Sequence, residues 1–328
     1  MRARWRTWCA LTVLVAVGAC DDATPPLEPN PEPVPRASGD LSWRTLASAP
    51  SARTEVAATA LDGRIYVAGG YRGDGATVAT VEIFDIGGNQ WVRGPDLPVP
   101  VNHAMAATVG GAVYVFGGYD GRNQAFAGAF RLEKDSWRSI AALPEPRAAG
   151  TTAVVGGSVY LAGGIGAGGA LAERMLVYDA GGDRWSTEAG PPTPREHLGG
   201  AGFDGRVYTV GGRTAAKGNL SAFEAFEVGT RKWSSKPALP TARGGLAAAA
   251  TCHGRIIAVG GEASATFAEA ESFDVRAGAW QALPKLPTPR HGLGVVSVGS
   301  VLYTLSGGPR PGLHVSETLE AIDLGACP

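Results

Sequence analysis

Short apolar runs closing on a glycine pair recur along this chain: IYVAGG, VYVFGG, VYLAGG, VYTVGG, IIAVGG and LYTLSGG. Each is β-branched or aromatic and too short for a helix, and reads as a strand. The pairs fall at 69–70, 117–118, 163–164, 211–212, 260–261 and 307–308, at intervals of 48, 46, 48, 49 and 47 residues. A tryptophan keeps the same beat, at Trp43, Trp91, Trp137, Trp185, Trp233 and Trp280, each 26 or 27 residues before the next pair. Two markers in phase over six periods define an internal repeat.

Each period divides into four strand-like pieces. A small-residue piece (VAATAL, MAATVG, TTAVVG, GGAGF, LAAAAT, GVVSV) precedes the Gly-Gly run. A third piece carries an aromatic seven residues before the tryptophan (Phe84, Phe130, Tyr178, Phe226, Phe273), with Ile322 in the last copy, and a fourth holds the tryptophan itself. Turns rich in Gly, Asp and Asn separate them, as in DIGGNQW and LDGRIY. Four short antiparallel strands per period of forty to fifty residues describe a β-propeller blade. The chain enters on a fourth strand at Trp43 and leaves on a third strand at Ile322, so LSWRTL is predicted to complete the last blade. Otherwise two sheet edges would stay exposed. The expected fold is all-β: six four-stranded antiparallel blades over residues 41–328, closed by the N-terminal strand.

These units resemble kelch repeats, with an Arg-led inner strand, a hydrophobic strand ending in Gly-Gly, an aromatic and a tryptophan. The resemblance implies that the small-residue strand lies nearest the axis. It also implies that the glycine pair lets the second strand bend while aromatic rings approach its backbone. GIGAGG at 164–169 matches GxGxxG literally. The strand LAERMLVYD follows it, not the helix that a dinucleotide site needs, so no nucleotide is expected.

Composition agrees with a β-rich globular chain: 45% hydrophobic residues, 48 glycines and only 18% charged residues. With a formal net charge of −1 and no basic run, nucleic-acid binding is not expected. The first segment stands apart. Arg2, Arg4 and Arg6 precede an apolar stretch, Trp8 to Val17, too short to span a bilayer. It ends Val17-Gly18-Ala19-Cys20, which resembles the lipobox of bacterial lipoproteins. That resemblance implies a signal peptide over 1–19 and acylation at Cys20, with lipid as the sole membrane attachment. Residues 20–40 form a proline-rich tether with prolines at 25, 26, 29, 31, 33 and 35, extended as polyproline II. The expectation is a monomeric, lipid-anchored protein of the bacterial envelope, on either membrane.

Candidate chemistry sits before each inner strand. SART, EPRA, TPRE, TARG and TPRH put Arg53, Arg147, Arg195, Arg243 and Arg290 at equivalent positions, with Val101 in the remaining unit. Glu55, His103, Glu196, His197 and His291 follow directly. The kelch resemblance implies that this position opens on one mouth of the central channel, where some members bind acidic peptides. An arginine ring there, flanked by His103, His197 and His291, suits a protein segment or an anionic glycan through bidentate hydrogen bonds. The competing role is internal, each arginine meeting backbone or the recurrent Glu82, Glu224, Glu271 and Glu320.

A metal needs ligands converging at about 2 Å, and side chains on different blades are expected to stay too far apart, so neither metal nor cofactor is expected. Resemblance to the periplasmic sialic acid mutarotase, also a six-bladed kelch protein, keeps a sugar-active enzyme as the alternative. In that case Glu55, Glu196 and the histidines supply the acid and base. Cys252 and Cys327 lie beside turns and either pair or remain free thiols, depending on whether their Cα atoms come within about 7 Å.

Overall fold

The computed structural model describes residues 41–328; the leader, Cys20 and the tether lie outside the described residues. Six four-stranded antiparallel sheets follow one another along the chain. Blade 1 has the strands Ala57–Leu61, Arg64–Ala68, Val81–Asp85 and Gln90–Arg93. Blades 2 to 5 repeat the order, their inner strands being Met105–Val109, Thr151–Val155, Gly199–Phe203 and Ala247–Thr251. Blade 6 contributes Gly294–Val298, Val301–Leu305 and Leu319–Asp323, and its outer strand is Trp43–Thr45. Trp43 pairs with Ile322, so the predicted closure is present. No α-helix follows GIGAGG; a three-residue 3₁₀ turn, Ala167–Gly169, lies within it.

The tryptophans tie blade to blade. The indole Nε1 of Trp91, Trp137, Trp185, Trp233 and Trp280 each donates to a backbone carbonyl 42–44 residues upstream, on the approach from the preceding blade. Trp43 does the same across the closure, donating to Pro284 O at 2.8 Å. Aromatic rings fill the seams between sheets: Phe116 meets Tyr178 and Trp185 at 5.6 and 5.7 Å, and Phe223 meets Phe273 at 4.8 Å.

The glycine pair serves these seams, though not by admitting aromatic rings. The second residue of each pair donates its N–H to the carbonyl at the next blade's arginine position: Gly70 to Val101, Gly118 to Arg147, Gly164 to Arg195, Gly212 to Arg243, Gly261 to Arg290 and Gly307 to Arg53. The six bonds run from blade to blade and close on themselves. At Gly117, with φ of 57°, a Cβ would lie 2.1 Å from Arg147 O, so only glycine lets the strands meet there. Blade 6 departs by one place, since Ser306 and Gly307, not Gly307 and Gly308, occupy the pair's positions. Ser306 takes the left-handed φ of 55°.

Blade 2 also corrects the predicted register. Its outer hairpin turns at Lys134-Asp135, because Glu133 pairs with Ser136, whereas Asp85 of blade 1 pairs with Gln90. That two-residue turn puts Leu132, not Phe130, opposite Trp137, and Phe130 moves to the place held by Glu82 in blade 1.

Candidate functional site

The five arginines do not line the channel mouth. Arg53, Arg147, Arg195, Arg243 and Arg290 are fully buried within their blades. Arg53 pairs with Glu82 at 2.8 Å, Arg195 with Glu224 at 2.6 Å and Arg290 with Glu320 at 2.7 Å, and Arg243 pairs with Glu271. Each arginine also donates to the carbonyl of the first residue of its blade's pair, as Arg53 does to Gly69 O at 2.7 Å and Arg290 to Ser306 O at 2.6 Å. A guanidinium offers five donors, and strand carbonyls and a glutamate absorb them inside the blade. The expected arginine-lined anion site is therefore replaced by internal struts.

The two exceptions support this role. Blade 2 lacks both charges: Val101 and Phe130 take the places of the pair and pack together in one apolar cluster. In blade 3, Leu176 stands where the other blades carry glutamate, leaving Arg147 only Glu145 at 3.6 Å as an acidic partner. Burial then lowers the Arg147 pKa to about 10, and its Nε lacks a hydrogen-bond partner.

The residues two places after the arginine do form the mouth. Glu55, His103, Ala149, His197, Gly245 and Gly292 are equivalent, and all take left-handed φ values between 50° and 70°. Each donates its N–H to its counterpart in the preceding blade: His103 to Glu55, Ala149 to His103, His197 to Ala149, Gly245 to His197, Gly292 to Gly245 and Glu55 to Gly292. This second closed circuit of six fixes where the side chains start. They surround a cavity of about 150 Å³, open to solvent, whose wall includes Ala58, Ala106, Thr152, Gly200, Ala248 and other small residues.

Three of the six positions carry polar side chains, and these converge. His103 Nε2 lies 3.0 Å from His197 Nε2 and 3.2 Å from Glu55 Oε2. His103 Nδ1 meets Asn102 Oδ1 at 2.6 Å, and His197 Nδ1 meets Glu196 Oε2 at 2.5 Å. Because both of those oxygens accept, each Nδ1 carries a proton and each Nε2 is directed toward the axis. The alanine and two glycines of the other positions leave room for this convergence. A Cβ on Gly292 would fall 2.5 Å from the Glu55 carboxyl carbon.

A charged network surrounds the three. Arg213 bridges Glu196 at 3.1 Å and Glu262 at 2.8 Å. His291 Nε2 stands 3.7 Å from Glu55 and 3.6 Å from Glu262, so His291 supports the cluster from behind. Tyr71 and Tyr119 set their rings edge-on to His103, at centroid distances of 5.9 and 5.4 Å.

Burial would raise the Glu55 carboxyl, yet His103, His197, His291 and Arg213 hold it below its ordinary value. Burial lowers His103 to about 4, so it is neutral at neutral pH. Burial opposes ionisation of Glu196 too, but its hydrogen bond from His197 and the nearby Arg213 bring it down to about 2. Burial raises the Tyr119 hydroxyl to about 12.

The structure thus unites His103, His197 and His291, corrects the five arginines and adds Glu262, Arg213, Tyr71 and Tyr119. It also corrects the expectation that side chains on separate blades stay apart. Donor atoms of Glu55, His103 and His197 all lie within 4.8 Å of one another. Tyr71, Tyr119, Arg213 and Glu262 were detectable as the residues directly after the glycine pairs, a position whose variation among repeats is itself a signal. At the other end of the inner strands, Cys252 and Cys327 form a disulfide with Cα atoms 5.6 Å apart. The C-terminal tail folds back to the turn after the blade 5 inner strand, where His253 Nε2 meets the carbonyls of Gly325 and Ala326.

Comparison with known proteins matches residues 39–164 to the KLHDC2/KLHL20/DRC7 Kelch-repeats domain. The chain is 35% identical over 79 residues to Spermatocyte protein spe-26 of Caenorhabditis elegans and 36% identical over 76 residues to Beta-scruin of Limulus polyphemus. It is 36% identical over 85 residues to Kelch-like protein 33 of Homo sapiens. These stretches are 24%, 23% and 26% of this chain but only 14%, 8% and 16% of those proteins. The solved structure of YjhT superposes with a TM-score of 0.71 at 16% identity, covering 83% of this chain and 95% of that one, a likeness of fold. With its six closed blades, the chain is a six-bladed β-propeller whose repeats are of the kelch type, matched by the family model over residues 39–164.

Proposed function

We propose that this propeller is a binding module that takes a protein segment at the mouth bounded by Glu55, His103 and His197. The observation that carries this is the mouth itself: a solvent-open cavity of about 150 Å³ with Tyr71, Tyr119 and Arg213 beside its polar groups. Tyrosine and arginine are the residue types that most often anchor protein interfaces. The lipobox-like sequence ending at Cys20 and the proline-rich run behind it support a lipid-anchored position in the bacterial envelope. An anionic glycan is disfavoured, because Glu55, Glu196 and Glu262 face the mouth and Arg213 is already engaged by two of them. Site-specific photo-crosslinking of the full chain in its own cells tests this reading. A photoreactive residue at Tyr119 is expected to give a discrete adduct with one partner, and the same residue at the exposed Val92 to give none. Equal labelling from both positions, or none from Tyr119, would refute a partner at the mouth.

One observation favours a second reading, a sugar-active enzyme of the mutarotase class. Glu55 is ionised and a neutral His103 stands 3.2 Å away, a base and a proton carrier side by side in a cavity. Under that reading the full chain accelerates exchange between the α and β anomers of sialic acid, and Glu55→Gln abolishes the acceleration. Exchange at the uncatalysed rate would leave the binding role alone standing.

A further inference from the structure

We propose that Glu55, His103 and His197 form a mononuclear site for a divalent transition metal, zinc by its donor set, at the floor of the channel mouth. Two imidazole nitrogens and one carboxylate oxygen suit zinc, which takes nitrogen and oxygen ligands at about 2.0–2.2 Å. Two nitrogens bound tetrahedrally at that length stand about 3.3 Å apart. Here the His103 and His197 Nε2 atoms are 3.0 Å apart, and His103 Nε2 is 3.2 Å from Glu55 Oε2. These two separations are nearly what an ion between the ligands requires, and all three ligand atoms lie within 4.8 Å of one another.

The second argument is the direction of the protons. Asn102 accepts from one histidine Nδ1 and Glu196 from the other, so both Nε2 atoms and the Glu55 oxygen are turned toward one another. Two imidazole nitrogens and a carboxylate oxygen this close repel unless a proton or a metal cation lies between them. Nδ1 bonded to a carboxylate or amide oxygen is also the support that metal-bound histidines use, since it fixes the tautomer and aims the ring. His291 and Gly292 complete the arrangement. His291 stands 3.7 Å behind the Glu55 carboxylate, and the missing side chain at Gly292 leaves that carboxylate its place.

The three donors come from blades 1, 2 and 4 and are held by the closed backbone circuit of the mouth, so the site is preorganised. Three protein ligands leave one tetrahedral position, and all three line the solvent-open cavity. A site of this type binds water there, or a carboxylate or imidazole of an incoming partner. That last step rests on the mouth being a binding site; the metal itself is measured on the chain alone, so the two ideas fail separately.

The test uses the full chain, stripped with a chelator and titrated with Zn²⁺ or Co²⁺ alone, followed by calorimetry and the visible bands of four-coordinate Co²⁺. One ion per chain is expected, both in the wild type and in His314→Ala, a surface control. His103→Ala, His197→Ala and Glu55→Gln are each expected to weaken binding beyond about 100-fold, and Asn102→Ala by about 10–100-fold. Gly292→Ala keeps every ligand but crowds Glu55. It is expected to weaken binding and alter the Co²⁺ bands, and it decides the matter where a histidine variant does not fold. Absence of stoichiometric binding to the wild type would overturn the proposal; a proton shared among the three groups would then hold the cluster together. Binding that survives in the folded His103, His197 and Gly292 variants, or that follows His253→Ala instead, would overturn it equally.

Discussion

Glu224→Ala is expected to cost about 3–5 kcal/mol, because it leaves the Arg195 guanidinium fully buried without its counter-charge. For a domain of this size that is a fall in Tm on the order of 10 °C. The informative comparison is the double variant Arg195→Val, Glu224→Phe, which copies the Val101 and Phe130 of blade 2 into blade 4. Removing both charges together avoids the stranded cation, and apolar replacement of a buried pair is often close to neutral. The double variant should therefore melt well above Glu224→Ala, with a coupling energy measurable in a double-mutant cycle. If its destabilisation equals the sum of the two single variants, the arginine and glutamate are not a unit and the reading of blade 2 fails.

Replacing the disulfide is the second large effect. Cys252 and Cys327 are 75 residues apart in sequence, and a link over that distance restrains the unfolded chain by about 4.5 kcal/mol in the chain-entropy picture. Cys252→Ser is expected to lose about 2–5 kcal/mol. The enclosed segment contains all three C-terminal strands of blade 6, whose fourth strand, Trp43–Thr45, comes from the other end of the chain. The loss should be localised: hydrogen exchange should rise first in Leu319–Asp323 and Trp43–Thr45 and only later in blades 2 to 4. Unchanged melting and a uniform exchange profile in Cys252→Ser would show that the ladder between those two strands closes the ring unaided.

The repeat was legible because its cause is local. A glycine pair recurs where a strand passes next to a neighbouring carbonyl in blades 1 to 5, and a tryptophan wherever an indole reaches back to the previous blade. Every period therefore carries both, and six blades with their closure could be counted from sequence. Register was less legible: the short Lys134-Asp135 turn slid Leu132 into the place expected for Phe130, and Ser306 stands in for a glycine. The site was half legible. Glu55, His103 and His197 stood out at equivalent positions, but their meeting depends on a left-handed backbone that turns all three inward. The arginines misled because a recurrent polar residue looks like a functional ring. Only the glutamates of the third strand, Glu82, Glu224, Glu271 and Glu320, hinted that these charges were satisfied inside each blade.

The backbone circuit at the mouth works like a six-place keyboard with three keys unused. Ala149, Gly245 and Gly292 take the same left-handed turn as Glu55, His103 and His197, yet present almost no chemistry. Their backbone bonds are made whatever side chain they carry, so the specificity of the socket can be rewritten by point substitution without refolding its frame. The limit is crowding: Gly292 is hemmed in by Glu55, and Gly245 has His291 and Glu262 as near neighbours. Ala149, already bearing a Cβ between the two histidine-bearing blades, is the vacant place from which a new function would be written first.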